Sequence, residues 1–205
     1  SGDARQPTAP ANPELAGLVW RKFLQKLRRK WDEKLYFPQW FLLCGMGGEL
    51  STALPQFTRL TPPKDRLWAD PFVVARDGKF YVFIEELLYA RGKGHISVIV
   101  MDRDGRFAEP VRVLEAPFHL SYPFIFEIDG TYYLMPESGA NRTVDLYKCK
   151  SFPYEWEFHK TLLQGRRAVD ATLLHRQGRW WMFVNEAETE GASTWDELFV
   201  YHSDN

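Results

Sequence analysis

The chain has few cysteines and no long uninterrupted hydrophobic run. Its 205 residues include only Cys44 and Cys149, which are far apart and match no metal-binding spacing. We therefore expect free thiols in a reducing compartment rather than a disulfide framework. The most apolar run, residues 35–46, is interrupted by Pro38 and Gln39. Such a run is too short to span a bilayer, and no signal peptide is visible in these residues.

The chain also has little net charge. The formal value is −1, yet residues 1–34 hold eight Lys and Arg against four Asp and Glu. Because the totals are 26 basic and 27 acidic side chains, the rest of the chain is mildly acidic. An acidic body argues against nucleic-acid binding. The five histidines are dispersed, so the sequence offers no dedicated ligand set for a metal and implies no cofactor.

The first 35 residues predict a lead-in and one helix. Residues 1–11 are small, polar and proline-rich, which predicts a flexible segment. Asn12 and Pro13 supply a cap and a first-turn proline, and apolar residues then recur every four positions as far as Leu35. The remaining faces are basic, so residues 12–35 are expected to form a basic amphipathic helix.

Three roles for this helix stay open. The first is packing of its apolar stripe on the body of the protein or on a neighbouring domain. The second and third are contact with an anionic membrane surface and docking to a partner, through residues 15–35. These alternatives correspond to a cytoplasmic or a membrane-peripheral location. Residues 36–66 form a bridge punctuated by Pro and Gly, with one predicted strand near residues 40–43.

What the chain has in abundance is aromatic side chains and an internal repeat. Eight Trp, nine Tyr and fifteen Phe favour strands over helices. From residue 67 a motif of two apolar runs around a tight turn occurs three times, and the turns are Asp77-Gly78, Asp129-Gly130 and Gln177-Gly178. An Asp-Gly step between two apolar runs is a strong hairpin signal. Each copy continues into a third strand, and the first two copies continue into a fourth.

Four antiparallel strands per repeat predict an all-β fold, a β-propeller. The predicted blades are residues 67–118, 119–166 and 167–205, the last of them incomplete. Three blades do not close a ring. We therefore expect this chain to be a fragment of a five-bladed propeller; a reduced propeller whose open edges are covered by a partner is the alternative.

Chemically active residues recur at fixed places in the repeat. Asp70, Tyr122 and Asp170 each lie eight residues before the turn glycine, in the first strand of a blade. The first strands line the central channel of a propeller, so these positions are expected to converge. The other candidate ligand contacts are Trp68, His119 and the second-strand ends Glu85, Glu86, Glu137, Asn185 and Glu186. Paired carboxyl groups facing one cavity suit glycosidic hydrolysis, but acids at strand ends also serve to bind backbone amides.

Two levels of resemblance follow from these motifs. The segment Trp68 to Phe72, WADPF, resembles the first-blade motif of the five-bladed furanosidase-type glycoside hydrolases, the arabinanase and xylosidase group, whose aspartate is the general base. Further motifs resemble the N-terminal propeller of glucosamine inositolphosphorylceramide transferases and their bacterial relatives: DRLWADPF, HLSYPFIF, YLMPES, RTVDLYKC and VDATLL. The resemblance covers about residues 55–204. It implies a propeller that accompanies a glycosyltransferase or another glycan-modifying domain.

The chain departs from the hydrolase pattern at two places. Tyr122 stands where the hydrolases have a second aspartate, and Asp170 stands where they have the glutamate that acts as general acid. A shorter acid loses about 1 Å of reach, which can cost on the order of a hundredfold in rate. Glu137 or Glu186 would then be the substitute proton donor. The departures favour a module that has lost catalytic machinery.

Three functions therefore stay open. The first is a carbohydrate-recognising, catalytically degenerate module of a protein that makes or modifies a glycan or glycolipid. The second is an active glycoside hydrolase with Asp70 as base and Asp170 or a nearby glutamate as acid. The third is a protein-interaction scaffold, for which alanine at the three repeat positions would leave partner binding intact.

Overall fold

The computed structural model describes residues 12–35, 39–46, 53–187, 189 and 191–204. Two compact units divide the chain between residues 38 and 39. The first contains helix α1, Asn12–Leu35, where the cap, proline and four-residue period predict one. The lead-in predicted for residues 1–11 lies outside the described residues. No helix in the described part of the chain is long and apolar enough to cross a membrane.

The second unit consists of antiparallel sheets. A short hairpin comes first, with β1 at Leu42–Cys44 paired to β2 at Thr58–Leu60. The predicted strand near residues 40–43 thus begins at Leu42. Leu42 and Leu60 pack with Trp68 and Ile84 in one buried cluster. The hairpin therefore covers the outer face of the first large sheet.

The three large sheets repeat one topology. Blade 1 contains four strands, β3 (Arg66–Arg76), β4 (Lys79–Leu88), β5 (Lys93–Met101) and β6 (Val111–Leu114). Blade 2 contains β7 (Ser121–Ile128), β8 (Thr131–Ser138), β9 (Thr143–Ser151) and β10 (Glu155–Gln164). Blade 3 contains β11 (Ala168–Arg176), β12 (Arg179–Glu186) and β13 (Leu198–Ser203). Strands adjacent in the chain are adjacent in each sheet, so these are propeller blades.

Each blade begins with a two-residue hairpin whose turn has positive φ at both positions. The φ angles are 49° and 74° at Asp77-Gly78, 48° and 76° at Asp129-Gly130, and 55° and 72° at Gln177-Gly178. This backbone twist matches that of the flanking strands, and Asp, Asn and Gly tolerate it best. The hairpins predicted from the repeat are confirmed.

Apolar side chains from adjacent blades form the core. Phe83, Ile96 and Val98 of blade 1 pack with Leu120 and Leu134 of blade 2, and all five are fully buried. A second buried cluster joins blades 2 and 3. Burying a side chain of this size stabilises the fold by about 1.5 to 3 kcal/mol. The stacked blades hold the starts of β3, β7 and β11 next to one another.

Candidate functional site

A β-bulge interrupts the first strand of every blade at its predicted site residue. In β3 two residues oppose one residue of β4 between the pairs Ala69–Glu85 and Phe72–Phe83. The same shift occurs in β7 and in β11. Bulges next to active sites commonly re-aim a side chain. Three bulges in equivalent places therefore make this end of the first strands the candidate site.

The first residue of each bulge has a left-handed backbone. The φ angle is 49° at Asp70, 42° at Tyr122 and 55° at Asp170. Aspartate tolerates this region, but for tyrosine it costs roughly 1 to 2 kcal/mol. Strained residues held in equivalent places by their surroundings cluster at functional sites. The repeat positions predicted from the sequence thus share one backbone geometry.

Hydrogen bonds link the three bulges across the blades. The backbone N–H of Tyr122 donates to Asp70 Oδ2 at 3.2 Å, which joins blade 2 to blade 1. The Tyr122 hydroxyl lies 2.9 Å from Thr172 Oγ1 in blade 3. The Tyr122 ring also contacts Phe72 edge-on, at 5.0 Å between ring centroids. Tyr122 therefore contacts blade 1 and blade 3 at the position where the hydrolase pattern has a carboxylate. Thr172, which the sequence did not single out, belongs to the site.

Glu137 and Asp170 form a carboxyl pair. Burial, followed by the charge of Asp170, raises the pKa of Glu137 to about 7, although the nearby backbone N–H of Asp170 opposes this rise. The charges of Asp70 and His119 also act on the pKa of Glu137, so these groups are close neighbours. Burial raises the pKa of Asp170 as well, and its hydrogen bond with Glu137 opposes that rise. At neutral pH a proton is therefore available in this pair.

Asp70, Glu85 and His119 form a second group. Burial, and then the charge of Glu85, raises the pKa of Asp70. His119 Nε2 lies 3.3 Å from Glu85 Oε1, and this contact raises the pKa of His119. The Gly94 N–H donates to His119 Nδ1 at 3.0 Å and opposes that rise, since it requires a free lone pair on Nδ1. In the neutral ring, the proton is therefore on Nε2 and points to Glu85.

Gly94 leaves the room that this second group needs. A Cβ at Gly94 would lie 2.7 Å from Leu120 O, 2.8 Å from His119 Cε1 and 2.9 Å from Glu85 Oε1. No side chain larger than hydrogen fits without displacing these atoms. The sequence predicts only a blade turn at residues 92–94. The turn is at Gly92, with φ 60°, whereas Gly94 lies inside β5 and supports the site.

The structure does not bring Trp68 and Glu86 to this site but places both inside blade 1. Trp68 is 2% exposed and Glu86 is 4% exposed. Glu86 accepts hydrogen bonds from Trp68 Nε1 at 3.2 Å, Arg66 Nη1 at 3.0 Å and Ser97 Oγ at 2.8 Å, and its Oε2 lies 3.2 Å from His95 Nε2. Burial would raise the pKa of Glu86, but these four bonds outweigh it and lower the pKa to about 2. Glu86 is an ionised structural carboxylate.

In blade 3, Asn185 occupies the register position of Glu85 and Glu137, and Glu186 that of Glu86. Asn185 pairs with Val169 and is half-buried. Glu186 is 1% exposed, and neither of its carboxylate oxygens makes a hydrogen bond of good geometry with a described group. Arg166 Nη1 lies 3.8 Å from Glu186 Oε2. Tyr201 is also near, because burial and then Glu186 raise the pKa of its hydroxyl.

No three His, Cys, Asp or Glu side chains within the described ranges are arranged to hold a metal ion. The site therefore consists of two carboxyl groups in contact with each other, a carboxyl group beside a carboxyl–imidazole pair, and one tyrosine. Such groups donate and accept hydrogen bonds at short range and suit a ligand with several hydroxyl groups. They also include a proton donor and an acceptor for acid–base chemistry.

Residues 59–205 match a protein family described as glucosamine inositolphosphorylceramide transferase 1, N-terminal. The chain belongs to this family. The glucosamine inositolphosphorylceramide transferase 1 of Arabidopsis thaliana is 31% identical over 148 residues, and that of Oryza sativa subsp. japonica is 30% identical over 156 residues. These alignments cover 72% and 74% of this chain but 19% and 21% of the relatives. The chain thus spans about a fifth of their length.

Solved structures with the same fold are glycosidases. A GH43 β-1,3-galactosidase superposes with a TM-score of 0.59 at 13% identity, over 76% of this chain and 37% of that chain. An exo-β-1,3-galactanase variant from Phanerochaete chrysosporium, solved with β-1,3-galactotriose, gives 0.55 at 13% identity, over 76% and 39%. The catalytic domain of the Coprinopsis cinerea GH62 α-L-arabinofuranosidase gives 0.53 at 15% identity, over 82% and 53%. At these identities the likeness shows the fold alone.

These comparisons confirm the predicted fold and the predicted family. The family match identifies the chain as a member of a family named for glucosamine inositolphosphorylceramide transferase 1, which agrees with the broad form of the first functional hypothesis. The roles of the individual site residues stay predictions.

Proposed function

We propose that this propeller binds a sugar through the carboxyl groups of Asp70, Glu137 and Asp170 together with His119. The main supporting observation is that these side chains lie close together beside three equivalent bulges. A hydrogen bond from Tyr122 to Asp70 links the bulges of blades 1 and 2. Each group offers an acceptor, a donor or both. Sugars present several hydroxyl groups that need paired donors and acceptors when they leave water.

Binding without hydrolysis is supported by the contacts of Asp70 and Tyr122. One oxygen of the Asp70 carboxylate already accepts the Tyr122 N–H, so this oxygen takes part in the packing between blades. Tyr122 supplies no charge to orient an acid. Asp70 therefore suits a hydrogen bond with a hydroxyl group of a ligand.

Isothermal titration calorimetry of the 205-residue chain tests sugar binding. The panel contains β-1,3-galactotriose, nucleotide sugars, inositol phosphates and arabinose oligosaccharides. For any sugar that binds, Asp170→Asn is expected to weaken the affinity by about tenfold, because one hydrogen bond to a charged group is lost. Asp129→Asn is the matched control, since Asp129 is an exposed aspartate with the same left-handed backbone. Equal affinities in both variants would contradict the proposal, as would no binding across the panel.

The second candidate function is glycoside hydrolysis, favoured by Glu137. A carboxyl group with a pKa of about 7 is suited to donate a proton at neutral pH. In that case Glu137, rather than the shorter Asp170, acts as the acid and Asp70 as the base. Aryl galactosides and aryl arabinofuranosides are the substrates to test. Turnover that disappears in Asp70→Asn and in Glu137→Gln would support hydrolysis, and turnover that survives either change would rule out this assignment.

A further inference from the structure

A polar cavity lies at the junction of blades 2 and 3, apart from the carboxyl groups described above. Its volume is about 270 Å³. Three arginines line it, Arg142 from the loop before β9 and Arg166 and Arg167 from the loop before β11. The remaining described lining comes from Gly165, Ala187, Thr189 and Gly191. No carboxylate is among the described lining residues.

The three arginines come from two loops, and a hydrogen bond holds one of them in place. Arg142 has a left-handed backbone, with φ 59°, and its Nη2 donates to the carbonyl of Gly165 at 3.2 Å. This bond joins the loop of blade 2 to the loop of blade 3 across the cavity wall. Arg166 and Arg167 are adjacent and exposed. Three guanidinium groups around one small cavity repel one another unless an anion lies between them.

Blade 1 provides an internal comparison for Arg166. Arg66 is four residues before Asp70, as Arg166 is four residues before Asp170. Arg66 bonds Glu86 at 3.0 Å and Asp65 at 2.9 Å, and its side chain is 26% exposed. Arg166 approaches Glu186 only to 3.8 Å, and its side chain is 57% exposed. The same register position thus holds a closed ion pair in blade 1 and an open one in blade 3.

Arg166 lines the cavity, and its 3.8 Å contact with Glu186 is too long for a hydrogen bond, so Glu186 does not engage the donors of this guanidinium. Glu186 itself is almost completely buried. The cavity, at about 270 Å³, is large enough to admit a phosphate group. Arginine presents paired N–H donors that match the oxygens of phosphate. Arg167 is three residues before Asp170 in the chain, which corresponds to about 10 Å along an extended strand.

We propose that this cavity binds a phosphate group through Arg142, Arg166 and Arg167. The phosphate is either free or esterified to a sugar. This proposal is independent of sugar binding by the carboxyl site. If one molecule reached both sites, a phosphate ester of a sugar would bind more tightly than inorganic phosphate.

The test is titration of the 205-residue chain with inorganic phosphate, galactose 1-phosphate and galactose, at low ionic strength and followed by calorimetry. Arg167→Gln and Arg142→Gln are each expected to weaken phosphate binding by about tenfold. Arg176→Gln is the matched control, because Arg176 is exposed at the far end of β11 and removes the same charge. We expect it to leave the affinity unchanged within about twofold. All three variants should unfold at the temperature of the unchanged chain.

The outcomes separate the sources of phosphate and the two proposals. Equal affinities for inorganic phosphate and galactose 1-phosphate would support a site for free phosphate. Tighter binding of galactose 1-phosphate, reduced by Asp170→Asn, supports the ester. Phosphate binding with no binding of any sugar keeps this proposal and contradicts the sugar site. No binding of either phosphate, or equal loss in Arg167→Gln and Arg176→Gln, overturns it.

Discussion

The carboxylate of Asp70 in blade 1 accepts a hydrogen bond from the backbone N–H of Tyr122 in blade 2. Each of these residues is the first residue of a bulge and has a left-handed backbone conformation. The site carboxylate of one blade thus satisfies the strained backbone of the next. In the same way, the backbone N–H of Asp170 in blade 3 is near the Glu137 carboxylate of blade 2 and opposes the rise in its pKa. These two contacts make the candidate site part of the packing between blades, so site variants must be judged on stability as well as on binding.

Asp70 is therefore expected to matter as an acceptor more than as a charge. Asp70→Ala should lower the free energy of unfolding by about 2 to 3 kcal/mol, because the Tyr122 N–H loses its partner and alanine tolerates positive φ poorly. Asp70→Asn keeps an oxygen and tolerates this φ, so its cost should stay below about 1 kcal/mol. Urea denaturation of both variants at pH 7 measures the difference. Equal losses of unfolding free energy in Asp70→Ala and Asp70→Asn would show that the hydrogen bond between Asp70 and Tyr122 contributes nothing to stability.

Glu137 should make stability depend on pH between about 4.5 and 7. Its pKa is raised in the folded chain, so its favourable contribution is complete below the unfolded value of 4.5 and is lost as pH rises to about 7. Glu137→Gln removes that loss. We expect the variant to gain about 1 to 3 kcal/mol relative to the unchanged chain between pH 5 and pH 8. Parallel denaturation profiles at these two pH values would contradict the assignment.

Glu86 should show the opposite dependence. Its pKa is lowered to about 2, so its contribution is present above pH 4.5 and is lost as pH falls toward 2. Glu86→Gln should cost about 2 to 4 kcal/mol at pH 7, because a buried ion pair and its bonds are broken. Glu186→Gln is the matched comparison in blade 3. Its carboxylate makes no hydrogen bond of good geometry with a described group, so we expect a cost of less than about 1 kcal/mol. Similar losses in the two variants, measured by urea denaturation, would contradict this contrast.

Gly94 should control the position of His119. Gly94→Ala places a methyl group within 3 Å of Leu120 O, His119 Cε1 and Glu85 Oε1. We expect a loss of about 1 to 3 kcal/mol in stability and a changed imidazole signal of His119 in NMR spectra. Gly92→Ala is the control, because Gly92 has no atom within 4 Å of a Cβ but a strained φ of 60°. An unchanged His119 signal in Gly94→Ala would show that the contact does not hold the ring.

Several features could be predicted because they depend on local chain chemistry. The hairpin turns follow from Asp-Gly steps, and the three blades follow from the repeat of those steps. The alignment of Asp70, Tyr122 and Asp170 in the repeat placed one site residue in each blade. The bulges themselves could not be predicted. A bulge adds one unpaired residue, and no residue type at these positions requires a left-handed backbone.

Glu85 and Glu86 show where sequence reasoning reached its limit. They are identical in type and adjacent in β4, and both were predicted as ligand contacts. Successive side chains in a strand point to opposite faces. Glu85 therefore meets His119 and Asp70, whereas Glu86 points into blade 1 and binds Arg66 and its other partners. Because side chains alternate between the two faces of a strand, the sequence indicates that only one of Glu85 and Glu86 faces the site. It does not indicate which of the two.

The local sequence thus determines the order of strands, the turns and the repeated site positions, because each depends on residues within one hairpin. The pairing of carboxyl groups, the elevated pKa of Glu137 and the convergence of Arg142 with Arg167 were decided by the stacking of blades. These features join residues that are tens of positions apart. Their distances depend on how the cores between the blades pack, and that packing exists only in the folded protein.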